Sequence, residues 1–266
     1  MKKLGLLVLV VGIVLMAGCA GDDPAGPSGT LEDVTGLAIG SASAGRDVVL
    51  TWNAVSVTVD GYAVFFRATE TADWTEIQQV TGTTYTHTAD NSGYYTVKAY
   101  EGTNYSTNNS NIVNTMPNQI MATYTIWDNH APTDSTSGFV FGATAGQRVL
   151  AASSTNHDIY CYDGNWTQSP CGFYSGDKAP FGGGHETFMK LAEGSIYSYP
   201  PSSGWWDSNY VLAGDVIFAE LYNGYYVKIY VQAIPQCPAQ PLSYGVTFYF
   251  DYQPIQGLYL FTTESS

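Results

Sequence analysis

Positive charge is scarce in this sequence. Its 266 residues include 9 Lys and Arg against 23 Asp and Glu, which gives a formal net charge of −14. A nucleic-acid-binding surface neutralises phosphates with clustered cations, so this shortage argues against a nucleic-acid partner. An acidic surface instead favours solubility and association with cations.

Helical periodicity and catalytic motifs are also missing. Beyond the N-terminus no stretch keeps an apolar stripe over three helical turns. The spacings His-Glu-x-x-His, Gly-x-Ser-x-Gly and Cys-x-x-Cys do not occur, so no enzyme is predicted. The chain is instead rich in Tyr (21) and Gly (28), with charged residues at only 12%, which is typical of an all-β protein.

Residues 1–18 have the layout of a secretory signal peptide. Two lysines precede an apolar core, residues 4–15, which is shorter than the roughly 20 residues that span a bilayer. The stretch LMAGC at 15–19 resembles the lipobox of bacterial lipoproteins. That resemblance implies cleavage after Gly18 and lipidation of Cys19, and several acyl chains would anchor the protein stably to a membrane. The alternative is an ordinary signal peptide in which Cys19 occurs by chance.

The residues after Cys19 indicate in which membrane the lipoprotein is expected. Ala20 stands where Asp would favour retention in the inner membrane, so the outer membrane or cell surface is expected. Asp22 and Asp23 resemble the acidic export signals of some surface lipoproteins. Residues 19–30 are nearly all small or polar, with two prolines, and are interpreted as a flexible linker.

Seven short alternating runs between residues 31 and 117 predict a β-sandwich. The positions that carry a resemblance to fibronectin type III domains are Leu37, Trp52, 61–64, 95–99 and 106–113. The resemblance implies a core containing Trp52, Tyr62 and Tyr95, and a role as a spacer or as a protein- or glycan-contact module. One departure is Gly93, where the family often has an aromatic residue.

Met116-Pro117-Asn118 marks the predicted boundary to a second antiparallel β-rich domain, residues 118–266. This part is dense in aromatic residues, which favour strands. Its predicted strands are 121–127, 138–142, 148–152, 158–162, 211–222, 225–234, 244–252 and 258–262.

The pair Asn223-Gly224 lies between two alternating runs and predicts a hairpin with a two-residue type I′ loop. This loop would place Tyr222 opposite Tyr225. Residues 216, 218 and 220 would then share a core face with residues 227, 229 and 231, and the opposite face would be half-exposed.

Five residues are candidates for ligand binding. Tyr226, Lys228 and Tyr230 lie on the half-exposed face of this hairpin. Trp205 and Trp206 follow a Pro-Pro-Ser-Ser-Gly loop, where an aromatic platform suits sugars or flat cofactors. The alternative for all five is packing within the sheets, because aromatic cross-strand pairs stabilise sheets without any ligand.

Three cysteines lie in the second domain. Cys161 and Cys171 are ten residues apart, and an oxidising compartment favours a disulfide between them. Cys237 is left over and is either free or a competing partner.

The histidines give no clear site. His130, His157 and His185 each have an acidic neighbour, but nothing in the sequence shows that they converge, and exposed loops are the simpler interpretation. The hairpin together with residues 246–254 resembles the C-terminal end of HmuY-type haem-binding lipoproteins. The haem ligands of that family are histidines, and none here can be matched to them, so no cofactor and no metal is predicted.

The sequence therefore predicts a non-catalytic, cell-envelope lipoprotein that displays a β-rich binding domain on a fibronectin type III spacer. Its expected partners are the membrane, through the lipid anchor, and an unknown protein, glycan or small molecule. One alternative is capture of haem or another small ligand by the second domain. Another is a glycan-binding or adhesion module.

Overall fold

The computed structural model describes residues 30–129, 136–146, 148–151, 153–162, 171–179, 183–193, 198–238 and 240–263. The strands belong to one compact unit, Leu31–Ser266. They are β1 Ala38–Ile39, β2 Asp47–Thr51, β3 Gly61–Arg67, β4 Thr75–Val80, β5 Thr84–Thr88, β6 Tyr94–Glu101, β7 Asn104–Tyr105, β8 Val113–Asn114, β9 Asn118–Trp127, β10 Gly138–Phe139, β11 Val149–Leu150, β12 Ile159–Tyr162, β13 Gly172–Ser175, β14 Thr187–Leu191, β15 Ser208–Tyr210, β16 Val216–Leu221, β17 Tyr226–Ala233, β18 Gln236–Cys237 and β19 Gln240–Tyr252.

The first sandwich consists of β1 to β8. One sheet has the order β1-β2-β5, and the other has β4-β3-β6-β7 with β8 also paired to β6. This is the arrangement expected for a fibronectin type III-like domain. Trp52, Tyr62 and Tyr95 are buried in its core as predicted, and the rings of Trp52 and Tyr62 meet edge to face at 5.7 Å.

The structure explains why Gly93 departs from the fibronectin type III pattern. A Cβ atom there would lie 2.3 Å from the ring of Phe66 and 2.5 Å from the carbonyl oxygen of Arg67. No side chain fits in that space, because both contacts are shorter than any real Cβ atom makes. Two residues further on, Tyr95 is buried in the core, and its hydroxyl lies 3.0 Å from Nδ1 of His87.

The second sandwich consists of β9 to β19 in two antiparallel sheets. One has the order β11-β10-β12-β13-β15, and the other has β14-β16-β17-β19-β18 with β9 paired to β19. Their facing side chains form one core, in which Phe173 of the first sheet meets Phe248 of the second at 5.4 Å. The predicted all-β class is therefore confirmed. Nowhere in the described ranges is there a helix of the length and apolarity that a membrane crossing needs.

The predicted register of the hairpin is wrong by one residue. Phe218 pairs with Lys228 and Ala219 with Val227, while the amide of Leu221 donates to the carbonyl of Tyr225. The loop therefore has three residues, 222–224, and is closed by Gly224 with φ of 76°. An Asn-Gly pair fits this loop as well as a type I′ turn, because glycine is favoured at the left-handed position of both. Residues 227, 229 and 231 do face the core, but they share it with 217, 219 and 221.

Residues 253–263, which we call the closing segment, leave the end of β19 and return to the first sandwich. Within the predicted strand 258–262, pairing is limited to one parallel bridge between Leu258 and Gly45. The amide of Gly45 donates a hydrogen bond to the carbonyl of Gly257 at 2.8 Å, and the amide of Tyr259 donates one to the carbonyl of Gly45 at 3.1 Å. Leu258 and Leu260 are fully buried in the first core.

Gln253 fixes the start of the closing segment. Its Nε2 atom donates to the carbonyl of Thr115 at 3.1 Å and to that of Leu260 at 2.6 Å. Residues assigned by sequence to the second domain thus complete the core of the first. The division into domains 31–117 and 118–266 stays a prediction.

Candidate ligand-binding site

The face of the hairpin that carries Tyr226 and Lys228 is covered. Lys228 is fully buried, and its Nζ atom donates to the carbonyl of Thr262 at 3.1 Å and lies 4.9 Å from the centre of the Tyr230 ring. The expectation of a half-exposed face is therefore wrong at this residue. The cover is the closing segment, and a pattern of alternation within one hairpin contains no information about what folds over it.

Tyr226 lies at the seam between the hairpin and the closing segment. Its ring meets that of Tyr259 edge to face at 5.5 Å. Burial, followed by the negative charge of Glu220, raises the pKa of the Tyr226 phenol above its ordinary value. This residue joins packed elements and offers little open surface to a ligand.

The two tryptophans do not form one platform. Trp206 exchanges two backbone hydrogen bonds with Met189, at 2.7 and 2.8 Å, and its side chain packs against the second core. Trp205 lies with its ring centre 5.3 Å from Nζ of Lys190, and both tryptophans are half-buried. The two residues are adjacent, and in an extended chain neighbouring side chains point to opposite sides.

Tyr230 and Tyr249 form a stacked pair on the outer face of the second sandwich. They are directly opposed on β17 and β19, with ring centres 4.5 Å apart and planes 11° from parallel. The hydroxyl of Tyr230 donates to Oδ2 of Asp251 at 2.8 Å. Because the strand pairing sets the position of both rings, the pair is a preformed feature of the sheet.

A cleft lies on each side of this pair, and we call the two clefts and the pair the tyrosine groove. One cleft has a volume of about 300 Å³ and the other about 270 Å³. Besides the tyrosines, the first is lined by Gln119, Met121, Asp251, Thr262 and Thr263. The second is lined by residues 214–216 and by Val231 and Gln232.

The chemistry of the tyrosine groove suits binding. Its rings and the exposed side chain of Met121 offer apolar contact, while Gln119, Gln232 and the threonine hydroxyls offer hydrogen bonds. This mixture is typical of small-ligand sites, which combine apolar walls with a few placed polar groups.

Only Tyr230 of this groove was among the sequence candidates. Tyr249, Asp251 and Met121 were missed, because their proximity to Tyr230 depends on the pairing of three strands. The alternation in residues 246–252 does signal one face for Tyr249 and Asp251, but not which strand lies beside it.

A second polar cluster brings two of the histidines together. Nδ1 of His185 lies 2.8 Å from Oδ1 of the buried Asp158, whose Oδ2 accepts a hydrogen bond from the amide of Phe141 at 2.7 Å. Burial raises the pKa of Asp158. The His185 ring stacks on that of the exposed Tyr222, with centres 3.8 Å apart.

His157 belongs to the same cluster but is closed off. Its side chain is fully buried, and burial lowers its pKa. Its carbonyl accepts the amide of His185 at 2.8 Å, and a Cβ atom on Gly176 or Gly184 would lie 2.2 or 2.3 Å from that oxygen. Gly184 is thus required by close backbone packing rather than by loop flexibility.

Within the part of the chain that the structure describes, this cluster forms no metal site, and the buried His157 is not available as a haem ligand. There, no group of three or more His, Cys, Asp or Glu side chains could hold a metal ion. A haem ligand must present an accessible imidazole nitrogen, and the ring of His157 is enclosed. His130 lies outside the described residues.

The cysteines follow the prediction where the structure describes them. Cys161 in β12 and Cys171, the residue before β13, form a disulfide, and both are fully buried. Cys237 is a buried free thiol. Cys19, the predicted lipidation site, lies outside the described residues.

No family model and no curated protein matches this chain. Solved structures similar to it include a Fn3-like protein from Clostridium thermocellum, 26% identical, which covers 32% of this chain and 92% of that one with a TM-score of 0.27. Titin kinase with its flanking domains is 11% identical, with coverage of 83% and 37% and a TM-score of 0.30. The FN1–FN3 domains of chicken CNTN1 are 10% identical, with coverage of 83% and 67% and a TM-score of 0.25. The assignment of the fold rests on the strand order.

Proposed function

We propose that this protein is a lipid-anchored, non-catalytic protein of the cell envelope that binds a ligand in the tyrosine groove. The N-terminal sequence supports the anchor, with Cys19 as the acylated residue and the outer membrane or cell surface as the location. The observation that carries the binding function is the stacked pair Tyr230 and Tyr249 with a cleft on each side.

The groove has the rigidity that binding favours. Tyr230 is held by its partner ring and by Asp251, and the strands below it pair in register. A site that is already ordered spends little of its binding energy on fixing side chains. The ligand class that fits is a small molecule with both an apolar surface and hydrogen-bonding groups.

The first sandwich supports this groove as well as linking it to the anchor. Thr262 and Thr263 form one wall, and Thr262 comes two residues after Leu260, which is buried in the first core. The first sandwich therefore positions a wall of the ligand site, which is a larger role than that of a passive spacer.

A ligand screen tests the groove. The full chain is screened by thermal shift against amino acids, nucleosides, neutral oligosaccharides and haem, and each stabilising compound is measured again on Tyr249→Ala. Loss of the shift in this variant supports the proposal. Tyr210→Ala is the matched control, because Tyr210 is an exposed tyrosine on a different sheet. Stabilisation that survives in Tyr249→Ala would place the site elsewhere.

Metabolic labelling tests the anchor separately. Cells expressing the protein are fed an alkyne fatty acid, and the label on the wild type is compared with Cys19→Ser and Cys237→Ser. The proposal expects label on the wild type and on Cys237→Ser only. A labelled Cys19→Ser protein, or an unlabelled wild type, contradicts the anchor without affecting the groove.

A further inference from the structure

A separate cavity lies on the first sandwich, on the outer face of the sheet formed by β4, β3, β6 and β7. Its volume is about 350 Å³. We call it the aromatic pocket, and it is lined by Phe65, Trp74, Glu76, Lys98, Tyr105 and Asn109. The core of the sandwich lies on the other side of the sheet, so these rings are not needed to fill it.

The rings of the pocket are held in place by neighbours. Phe65 and Tyr105 meet edge to face at 6.1 Å, and Tyr105 remains 40% exposed. The guanidinium of Arg67 lies 4.4 Å from the centre of the Trp74 ring. Such a cation–π contact fixes the orientation of the indole. The pocket therefore presents ordered aromatic surface to the solvent.

The carboxylate of Glu76 in the pocket accepts hydrogen bonds from other side chains of the protein. Oε2 of Glu76 accepts a hydrogen bond from the hydroxyl of Tyr105 at 2.8 Å, and Oε1 accepts one from Nε2 of Gln79 at 3.0 Å. Each carboxylate oxygen can accept more than one hydrogen bond, so Glu76 still has capacity for a ligand hydroxyl.

The ammonium group of Lys98 also forms hydrogen bonds within the protein. Nζ of Lys98 donates to the carbonyls of Ser106 and Thr107 at 3.2 and 3.3 Å, and an ammonium group has three donors. One fixed negative and one fixed positive group thus line the same small cavity. A ligand of either net charge would meet one group of its own sign, whereas a neutral ligand meets none.

We propose that the aromatic pocket binds a neutral saccharide. The apolar face of a sugar ring would lie against Trp74 and Tyr105, and its hydroxyls would bond to Glu76, Lys98 and Asn109. A sugar is a neutral molecule with an apolar ring face and a polar rim, which is the same distribution that the pocket presents. This site is on the other sandwich from the tyrosine groove and does not depend on the function proposed there.

Calorimetric titration of the full chain tests this inference. The probes are neutral hexasaccharides of glucose, mannose, xylose and N-acetylglucosamine, and the acidic probe is oligogalacturonate. We expect at least one neutral probe to bind. Replacement Trp74→Ala or Tyr105→Ala should weaken the affinity for that probe by about tenfold, which is the loss expected for one aromatic contact.

Two controls make the result specific. Tyr210→Ala removes a tyrosine of similar exposure, 46%, outside the pocket and should leave the affinity unchanged. Tyr249→Ala should also leave it unchanged, since that residue belongs to the tyrosine groove. Should Trp74→Ala fail to fold, Glu76→Gln provides a milder change that is also expected to weaken binding.

Three results would overturn the inference. The first is that no neutral probe binds, whatever else the pocket takes. The second is that binding persists unchanged in the pocket variants, or is lost in Tyr249→Ala. The third is that the acidic oligosaccharide binds more tightly than every neutral one.

Discussion

The hydroxyl of Tyr230 donates a hydrogen bond of 2.8 Å to the carboxylate of Asp251, and the two residues are only 8% and 1% exposed. They lie on neighbouring strands at the base of the tyrosine groove. A buried carboxylate depends on its donors, because water cannot replace them. The bond therefore has a role in folding in addition to its role in shaping the groove.

Replacement Tyr230→Phe removes this donor and keeps the ring. We expect the free energy of unfolding to fall by about 1–3 kcal/mol, the cost of a buried polar group that loses a partner. Urea denaturation measures it, and Tyr210→Phe, which removes an exposed hydroxyl, should change stability by a few tenths of a kcal/mol at most. Equal effects of the two variants would contradict a structural role for the bond.

Replacement Leu258→Ala tests the contribution of the closing segment to the first core. Leu258 is fully buried in the same core as Trp52, so we expect a loss of about 2–5 kcal/mol in the free energy of unfolding. Leu212→Ala is the control, since Leu212 is 59% exposed. If Leu258→Ala is as mild as the control, the closing segment does not stabilise this core.

Replacement Gly224→Ala tests the loop of the hairpin. The backbone of Gly224 has φ of 76°, where a side chain costs about 1–2 kcal/mol, and the nearest atom to a new Cβ is 3.4 Å away on Gln256. The loss should therefore come from backbone strain alone. Gly82→Ala, at a position with open space and no positive φ, should leave the thermal midpoint nearly unchanged. A neutral Gly224→Ala would contradict the three-residue loop.

Stability should fall as the pH is lowered from 7.5 to 5.5. Burial lowers the pKa of His157, so the unfolded chain takes up a proton near its ordinary pKa of about 6.5 while the folded chain does not. Below that pH the folded state loses up to about 1.4 kcal/mol per pH unit from this group. The raised pKa of Asp158 acts in the opposite direction, because the folded state then binds a proton more readily than the unfolded chain does.

His157→Gln should make this pH dependence shallower, measured as the unfolding free energy at several pH values. Burial also lowers the pKa of His87, so part of the slope should remain in that variant and become smaller still in the double variant His87→Gln, His157→Gln. A slope that is identical in wild type and His157→Gln would show that His157 is protonated equally in both states.

The first sandwich was predictable because its signals are local. The longer strands of the first sandwich have five to eight residues, and Trp52, Tyr62 and Tyr95 fit both their alternation and the fibronectin type III pattern. The disulfide between Cys161 and Cys171 was also predictable, because the two cysteines are only ten residues apart and the signal peptide predicts an oxidising compartment. These features depend on neighbours in the sequence.

The parts that were missed depend on distant neighbours. Tyr249 joins Tyr230 only because β17 and β19 pair in one register. Leu258 and Leu260 alternate like the residues of any strand, and the sequence does not say which of two cores they enter. The Asn223-Gly224 pair is compatible with two loop lengths, and each places Phe218 on a different face.

The return of residues 258 and 260 to the first core has a consequence for how the protein is made. A ribosome produces the first sandwich early and these two leucines only after the strands of the second sandwich, so the core of the first sandwich cannot be completed until residue 260 has been made. A polypeptide that stops short of residue 258 is therefore defective in both sandwiches. Proteases that remove poorly packed chains would then discard incomplete copies along with misfolded ones.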